Sequence, residues 1–258
     1  MKTGKLYLIP TNLSEPFTPA QILPAAVIAT ARRLNHYIAE NAKSARAFLK
    51  QIGIDRPLAD ISIVELNNQT RAEALIDMIA PLLAGVDVGL VSEAGAPGVA
   101  DPGALIVALA HLHGIQVVPL VGPSSLLMGL MASGLNGQTF AFHGYLPQEK
   151  NARINAIAAL EIESRQRNMT QLFIETPYRN QAIHADLLAT LAATTQLCIA
   201  RDLTGSRELV TTMRISAWRK QTGILEKLPT LFLFLAEPAR LLAKRDAPRP
   251  QKVFKQSH

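Results

Sequence analysis

The chain has little cysteine: one residue, Cys198, in 258. A disulfide framework is therefore excluded, and a reducing compartment is expected. Cys198 lies in the apolar run Gln196–Ala200 and reads as a small buried hydrophobe. Long apolar runs are missing too. Stretches such as Leu231–Ala236 are strand-sized, far short of the roughly 20 residues a membrane span needs. The apolar stretch before Pro10 is too short for the core of a signal peptide. A soluble, cytoplasmic protein with no membrane partner is expected. Charge of one sign is scarce in most of the chain. Of the net +6, the segment from Glu237 to His258 carries +4 (six Lys/Arg, two Asp/Glu), and the other 236 residues carry +2 (20 basic, 18 acidic). That segment, with Pro238, Pro248 and Pro250, reads as a flexible basic extension able to act as a weak electrostatic tether to RNA or as a plain solvated terminus.

Several signatures are absent as well. No Gly-Lys-Ser/Thr stands in a glycine-rich loop, and no G-x-G-x-x-G follows the first strand, where Pro10-Thr-Asn-Leu-Ser-Glu-Pro16 stands instead. Nucleoside-triphosphate and nicotinamide readings lose their main support. No G-x-S-x-G surrounds Ser124 and Ser125, so a serine hydrolase is not indicated. The six histidines are scattered; His111 and His113, two apart, fall on different faces of a helix, and no metal site is expected.

What is present is an ordinary globular composition, 48% hydrophobic and 18% charged, enough apolar material for two domains of roughly 100–150 residues each. Short apolar strands alternate with helical patterns through the first half: strands at 6–9, 37–39, 61–66, 86–91 and 116–120, helices at 20–30, 42–52, 71–83 and up to about 113. This argues for a mainly parallel sheet covered on both faces. The second half gives helices at 124–133, 151–163 and 179–192. Its strands fall at 139–143, 171–175, 196–202, 208–214 and 230–235, the last two without a long helix between them, so more antiparallel pairing is expected. The fold class is α/β with two domains, a mainly parallel N-terminal sheet and a mixed C-terminal sheet. Residues 1–120 form one domain, 121–236 the other and 237–258 the basic tail, with Val121-Gly-Pro-Ser-Ser125 as the hinge.

The most unusual stretch is Ser92-Glu-Ala-Gly-Ala-Pro-Gly-Val-Ala-Asp-Pro-Gly103, with three glycines and two prolines following a strand. Ligands of open α/β sheets bind beyond the carboxyl ends of strands. Glycine lets backbone approach a ligand closely, and proline fixes the loop. Such a loop can present main-chain groups to a small polar molecule, and Asp101-Pro102 can cap the helix that follows.

This run resembles the Ser-Asp-Ala-Gly-Thr-Pro-Gly-Ile-Ser-Asp-Pro-Gly signature of the ribosomal RNA small-subunit methyltransferase I family, within the tetrapyrrole (corrin/porphyrin) methylase superfamily. Further matches follow in order: Val118-Pro-Leu-Val-Gly-Pro-Ser-Ser125, Ser133-Gly-Leu135, Phe142-His-Gly-Tyr-Leu-Pro147, Phe173-Ile-Glu-Thr-Pro-Tyr-Arg179 and Ala200-Arg-Asp-Leu-Thr204. The resemblance covers residues 4–236. It implies a tetrapyrrole-methylase-like bilobal fold, a homodimer, and S-adenosylmethionine as methyl donor in the cleft between the lobes. Carried onto this chain, the donor meets Pro10, Gly95, Ala96, Val99, Ser124, Ser125 and Glu175. The implied acceptor is a ribose 2′-hydroxyl in ribosomal RNA, presented free or within the ribosomal subunit.

The chain departs from the family at Glu40-Asn-Ala-Lys-Ser-Ala-Arg46, which corresponds to Glu-Asp-Thr-Arg-His-Thr-Arg and marks a divergent paralogue. Asn41 cannot act as a carboxylate base, and Lys43 lacks the bidentate fork of arginine. A ribose hydroxyl needs a base as the new bond forms; Glu40, Asp101 and Glu175 are the candidates, with His143 behind them. Lys43 and Arg46 are the candidates for holding an acceptor phosphate. Two other readings remain: methylation of a small molecule such as a tetrapyrrole, and a non-catalytic paralogue that keeps only donor binding.

Overall fold

The computed structural model describes residues 2–67 and 69–238. The basic extension beyond Pro238 lies outside the described residues. The described residues divide into two compact units, 2–129 with Arg201–Leu209, and Leu130–Ala200 with 210–238.

The first unit runs β1 (Lys5–Ile9), α1 (Pro19–Ile22), α2 (Ala25–Arg33), β2 (His36–Ala39), α3 (Ala42–Gln51), β3 (Ser62–Glu65), α4 (Ala72–Leu83), β4 (Val88–Val91), α5 (Gly103–Leu112), β5 (Gln116–Pro119) and the start of α6 (Ser125–Ser133). Its sheet has the order β3-β2-β4-β1-β5 with every neighbouring pair parallel. Alternation along β1 shows why both faces are covered. Tyr7 and Ile9 pack with Val27, Ile28 and Ala31 of α2 and with Ala45, Phe48 and Leu49 of α3. Leu6 faces the other way, onto Met78, Ile79 and Leu82 of α4 and Ile106 and Ala110 of α5. The single helix expected over 20–30 is two helices. Pro24 has no N–H to give and forces Leu23 into extended backbone, φ −110° and ψ 135°, which ends α1.

The second unit holds the rest of α6, then β6 (Phe140–Tyr145), α7 (Lys150–Arg167), β7 (Thr170–Glu175), α8 (Asn180–Thr190), β8 (Gln196–Arg201), β9 (Leu209–Arg214), α9 (Ile215–Trp218) and β10 (Thr230–Leu235). The sheet order is β6-β7-β10-β8-β9, with β6 parallel and β10 antiparallel to β7, so the sheet is mixed. Phe173, Leu197, Ile199, Phe232 and Phe234 form one face and pack on Ile157 of α7, Ile183 and Leu187 of α8 and Trp218 of α9. Phe173 and Phe232 stack at 5.5 Å between ring centroids. Among the described residues no helix is long and apolar enough to cross a membrane.

Candidate functional site

Because the first sheet is parallel, the carboxyl ends of β1, β2, β4 and β5 all open at one edge. The chain leaves β1 toward β2 and leaves its neighbour β4 toward β5, in opposite directions along the sheet. The two connections pass to opposite faces of the sheet, α2 on one and α5 on the other, and such a reversal is a topological switch point, the place where open α/β sheets take their ligands.

The loops after β1 and β4 are joined there main chain to main chain. Thr11 N–H donates to Gly95 O at 2.9 Å, and Gly95 N–H donates to Asn12 O at 3.3 Å. Thr11 Oγ1 donates to Ser92 O at 3.4 Å, and Ser92 Oγ donates to Ala94 O at 3.2 Å. Gly95 takes φ +72°, and a Cβ there would come within 3.0 Å of Leu13 Cδ2 and 3.6 Å of Pro123 O. The segment after β5 closes on the same group: a Cβ at Gly122 would lie 2.2 Å from Pro10 Cγ, a distance no side chain tolerates. Three chain segments thus form one cradle of small residues, shaped by backbone rather than by charged side chains.

Asp101 shapes the rest of the glycine-rich loop. Its carboxylate accepts from Gly98 N–H at 2.9 Å and from Gly103 N–H at 2.7 Å, and α5 begins at Gly103, one residue later than a cap at Asp101 would set it. Burial raises the Asp101 pKa, and those two hydrogen bonds pull it back.

Glu40, at the end of β2, faces the start of this loop. Its Oε2 accepts from Glu93 N–H at 3.3 Å, and burial first, then the charges of Glu93 and Asp101, raise its pKa against that hydrogen bond. Asn41 Oδ1 caps α3, accepting from Lys43 N–H at 2.9 Å and Ser44 N–H at 3.2 Å. This is the role an aspartate would also fill there, so the change costs the helix nothing. Lys43 and Arg46 stand one turn apart on the exposed side of α3, and neither forms an ion pair among the described residues. Among those residues there is also no group of three or more His, Cys, Asp or Glu arranged to hold a metal.

No protein-family model matches the chain. The ribosomal RNA small subunit methyltransferase I of Xylella fastidiosa is 35% identical over 179 residues, 69% of this chain and 62% of that protein. The protein of the same name from Escherichia coli O157:H7 is 31% identical over 207 residues, 80% of this chain and 68% of that protein. The chain belongs to the ribosomal RNA small subunit methyltransferase I family. It spans about two thirds of the length of these curated relatives. Among solved structures it resembles the methyltransferase CobJ, with TM-score 0.59, 14% identity, and coverage of 91% of this chain and 95% of that one. It also resembles the uroporphyrin-III C-methyltransferase of Thermus thermophilus, with TM-score 0.52, 18% identity, and coverage of 95% and 96%. The fold is that of the tetrapyrrole methylases.

For a member of this family, the sequence-predicted donor residues divide between the units. Pro10 and Gly95 are packed into the cradle with Gly122 and Pro123, and Ala96 follows directly. Ser124 O accepts the first turn of α6 from Met128 N–H at 3.0 Å, placing both serines at that helix start. Val99 is exposed on the loop. Glu175 belongs to the second unit, where its buried carboxylate pairs with Arg179 at 3.1 Å. His143 is also there, paired with Gln171 across the strands. Thr11 and Ser92 are not among the residues predicted for the site, and Gly122 is predicted only as part of the hinge. Ser92 and Gly122 lie inside the motifs that carry the resemblance, and motif membership is the available signal; Thr11 has none, because its partner is 81 residues away.

Proposed function

We propose that this chain transfers a methyl group from S-adenosylmethionine to RNA of the small ribosomal subunit. Family membership supports the reaction class, and the observation that carries the assignment of the donor region is the cradle of Pro10, Thr11, Gly95 and Gly122 at the β1/β4 switch point. A cradle of main-chain groups and small residues with Glu40 and Glu93 nearby suits a cationic ligand. Bound there, S-adenosylmethionine supplies a methyl carbon activated by its positively charged sulfur.

The chain's own contribution is proximity, alignment and a base. Glu40 fits the base best of the three candidate carboxylates. Asp101 is occupied in folding its own loop and Glu175 is paired with Arg179, whereas Oε1 of Glu40 has no hydrogen-bond partner among the described residues. As the acceptor hydroxyl oxygen bonds to the methyl carbon, the carbon–sulfur pair of electrons stays on sulfur and Glu40 takes the hydroxyl proton. Lys43 and Arg46, in the first two turns of α3, the helix that follows Glu40, hold a phosphate of the acceptor. The likeness to CobJ and the uroporphyrin enzyme is one of fold and does not favour a tetrapyrrole acceptor.

Titration calorimetry with the donor tests the cradle. Gly95→Arg fills it and forces a positive φ on a side chain, so donor binding should vanish while the circular dichroism spectrum stays native. Unchanged donor affinity in that variant overturns the assignment. Labelled donor with small-subunit RNA, free and assembled, tests the acceptor.

A further inference from the structure

At the carboxyl end of β7 the chain makes a short 3₁₀ turn, Pro177–Arg179, whose middle residue, Tyr178, is 81% exposed. A lone exposed aromatic is unremarkable. The bonding behind this one is not, because the turn is fixed from several directions. Thr176 N–H donates to Glu175 Oε1 at 2.8 Å, and Arg179 N–H donates to Thr176 O at 2.9 Å. The Arg179 guanidinium pairs with the buried Glu175 carboxylate at 3.1 Å and donates to Pro147 O at 3.3 Å. The next residue, Asn180, is buried, and its Nδ2 donates to Leu228 O at 2.8 Å and Glu226 O at 3.4 Å. Those two carbonyls bracket Lys227. Its ammonium lies over the Tyr178 ring, 5.6 Å from the centroid. Gln181 Oε1 accepts from Leu225 N–H at 2.8 Å and pins the same segment once more.

Residues on both sides of Tyr178, Glu175 and Thr176 before it and Arg179, Asn180 and Gln181 after it, therefore hold its ring and Lys227 in register while leaving the ring exposed. Lys227 covers one face of the ring, and at this exposure the other is open. An aromatic face backed by a cation is the arrangement that stacks an unpaired base and meets its phosphate. Preorganisation on a locked turn means little is lost in ordering the site when a ligand arrives.

We propose that Tyr178 and Lys227 form a stacking platform for one unpaired nucleotide of a single-stranded RNA segment, the base on the open face of Tyr178 and a phosphate at Lys227. This rests on RNA being the acceptor class, and extends it to a residue pair outside the donor cradle.

The test uses the full chain, a fluorescently labelled single-stranded RNA oligonucleotide read by anisotropy at several salt concentrations, and donor calorimetry on the same samples. Tyr178→Ala should weaken RNA binding roughly ten- to a hundredfold, with donor affinity unchanged. Tyr178→Trp should restore it, which a merely structural role would not allow. Lys227→Ala should lower affinity less and reduce the slope of log affinity against log salt by about one. If the wild type binds RNA and Tyr178→Ala binds it equally well, the platform is wrong and the RNA reading stands. If the wild type binds donor but shows no salt-dependent RNA affinity, the RNA reading itself fails and the platform with it. Loss of binding to the intact subunit in Tyr178→Ala, with oligonucleotide binding unchanged, would assign the tyrosine to a protein surface and overturn the proposal.

Discussion

The two sheets treat their strand ends differently. In the first unit all strands are parallel, so the segments after β1, β2, β4 and β5 gather at one edge and can join main chain to main chain. In the second, β10 runs antiparallel to β7, and Glu175 at the end of β7 lies opposite Thr230 at the beginning of β10. The corner there is built from a loop leaving one strand and a segment entering another. Side chains hold it: Glu175 with Arg179, and Asn180 with the carbonyls around Lys227. Arg153 and Asp186 lock α7 to α8 nearby, two buried groups 2.7 Å apart, with Arg153 also donating to Gln148 O at 2.7 Å. A backbone-built region tolerates changes of side chain and resists only added bulk. A side-chain-built region fails when one partner is removed.

That contrast can be broken experimentally. The largest expected effect is chemical. Glu40→Gln should lower methyl transfer by about a hundred- to ten-thousandfold and weaken donor binding far less, because the cradle itself is made of other atoms and Glu93 keeps its charge. Since burial and neighbouring carboxylates raise its pKa, the wild-type rate should fall with decreasing pH from above the ordinary glutamate range. A rate that is flat across that range removes Glu40 as the base.

The next effect is on stability. Arg153→Ala leaves Asp186 buried without its partner and should cost about 3–5 kcal/mol, confined to the second unit. The chain's one tryptophan, Trp218, is buried in that unit and reports its unfolding directly. An Arg153→Ala protein whose tryptophan fluorescence transition in urea matches wild type would contradict the contrast.

The smallest effect concerns His184, buried against Trp218 with 5.5 Å between ring centroids. Burial lowers its pKa below 6.5, so the folded chain refuses a proton that the unfolded chain accepts. This contribution is fully present above pH 6.5 and is lost as pH falls from there toward the lowered folded value. The urea midpoint of the tryptophan transition should drop between pH 7 and pH 5.5, and the drop should shrink in His184→Gln. An equal drop in that variant points to other groups.

Much of the fold is legible in the sequence because its signals are local. The alternation of β-branched and apolar runs with helical spacing marks every strand of both sheets, and β10 occupies the residues expected of it. The break at Pro24 is readable in principle, but the alanine-rich pattern on both sides outweighs it. In the first unit the unusual composition of 92–103 marks the loop that contributes Gly95 to the cradle. What is not legible is who bonds to whom. Asp101 as a candidate base and Asp101 as the clasp of its own loop are the same residue type in the same place. Only the positions of the Gly98 and Gly103 amides separate the two readings. Nor does any local pattern join Asn180 to carbonyls 46 and 48 residues away.

The two bonds that tie Gly95 to Thr11 and Asn12 carry a dynamic consequence. Each amide is protected by the other loop's carbonyl side, so neither can exchange its hydrogen with solvent unless the loops part. Parting the loops frees both amides together, so a ligand that holds the joint closed should slow exchange at both, in two segments made far apart in the chain.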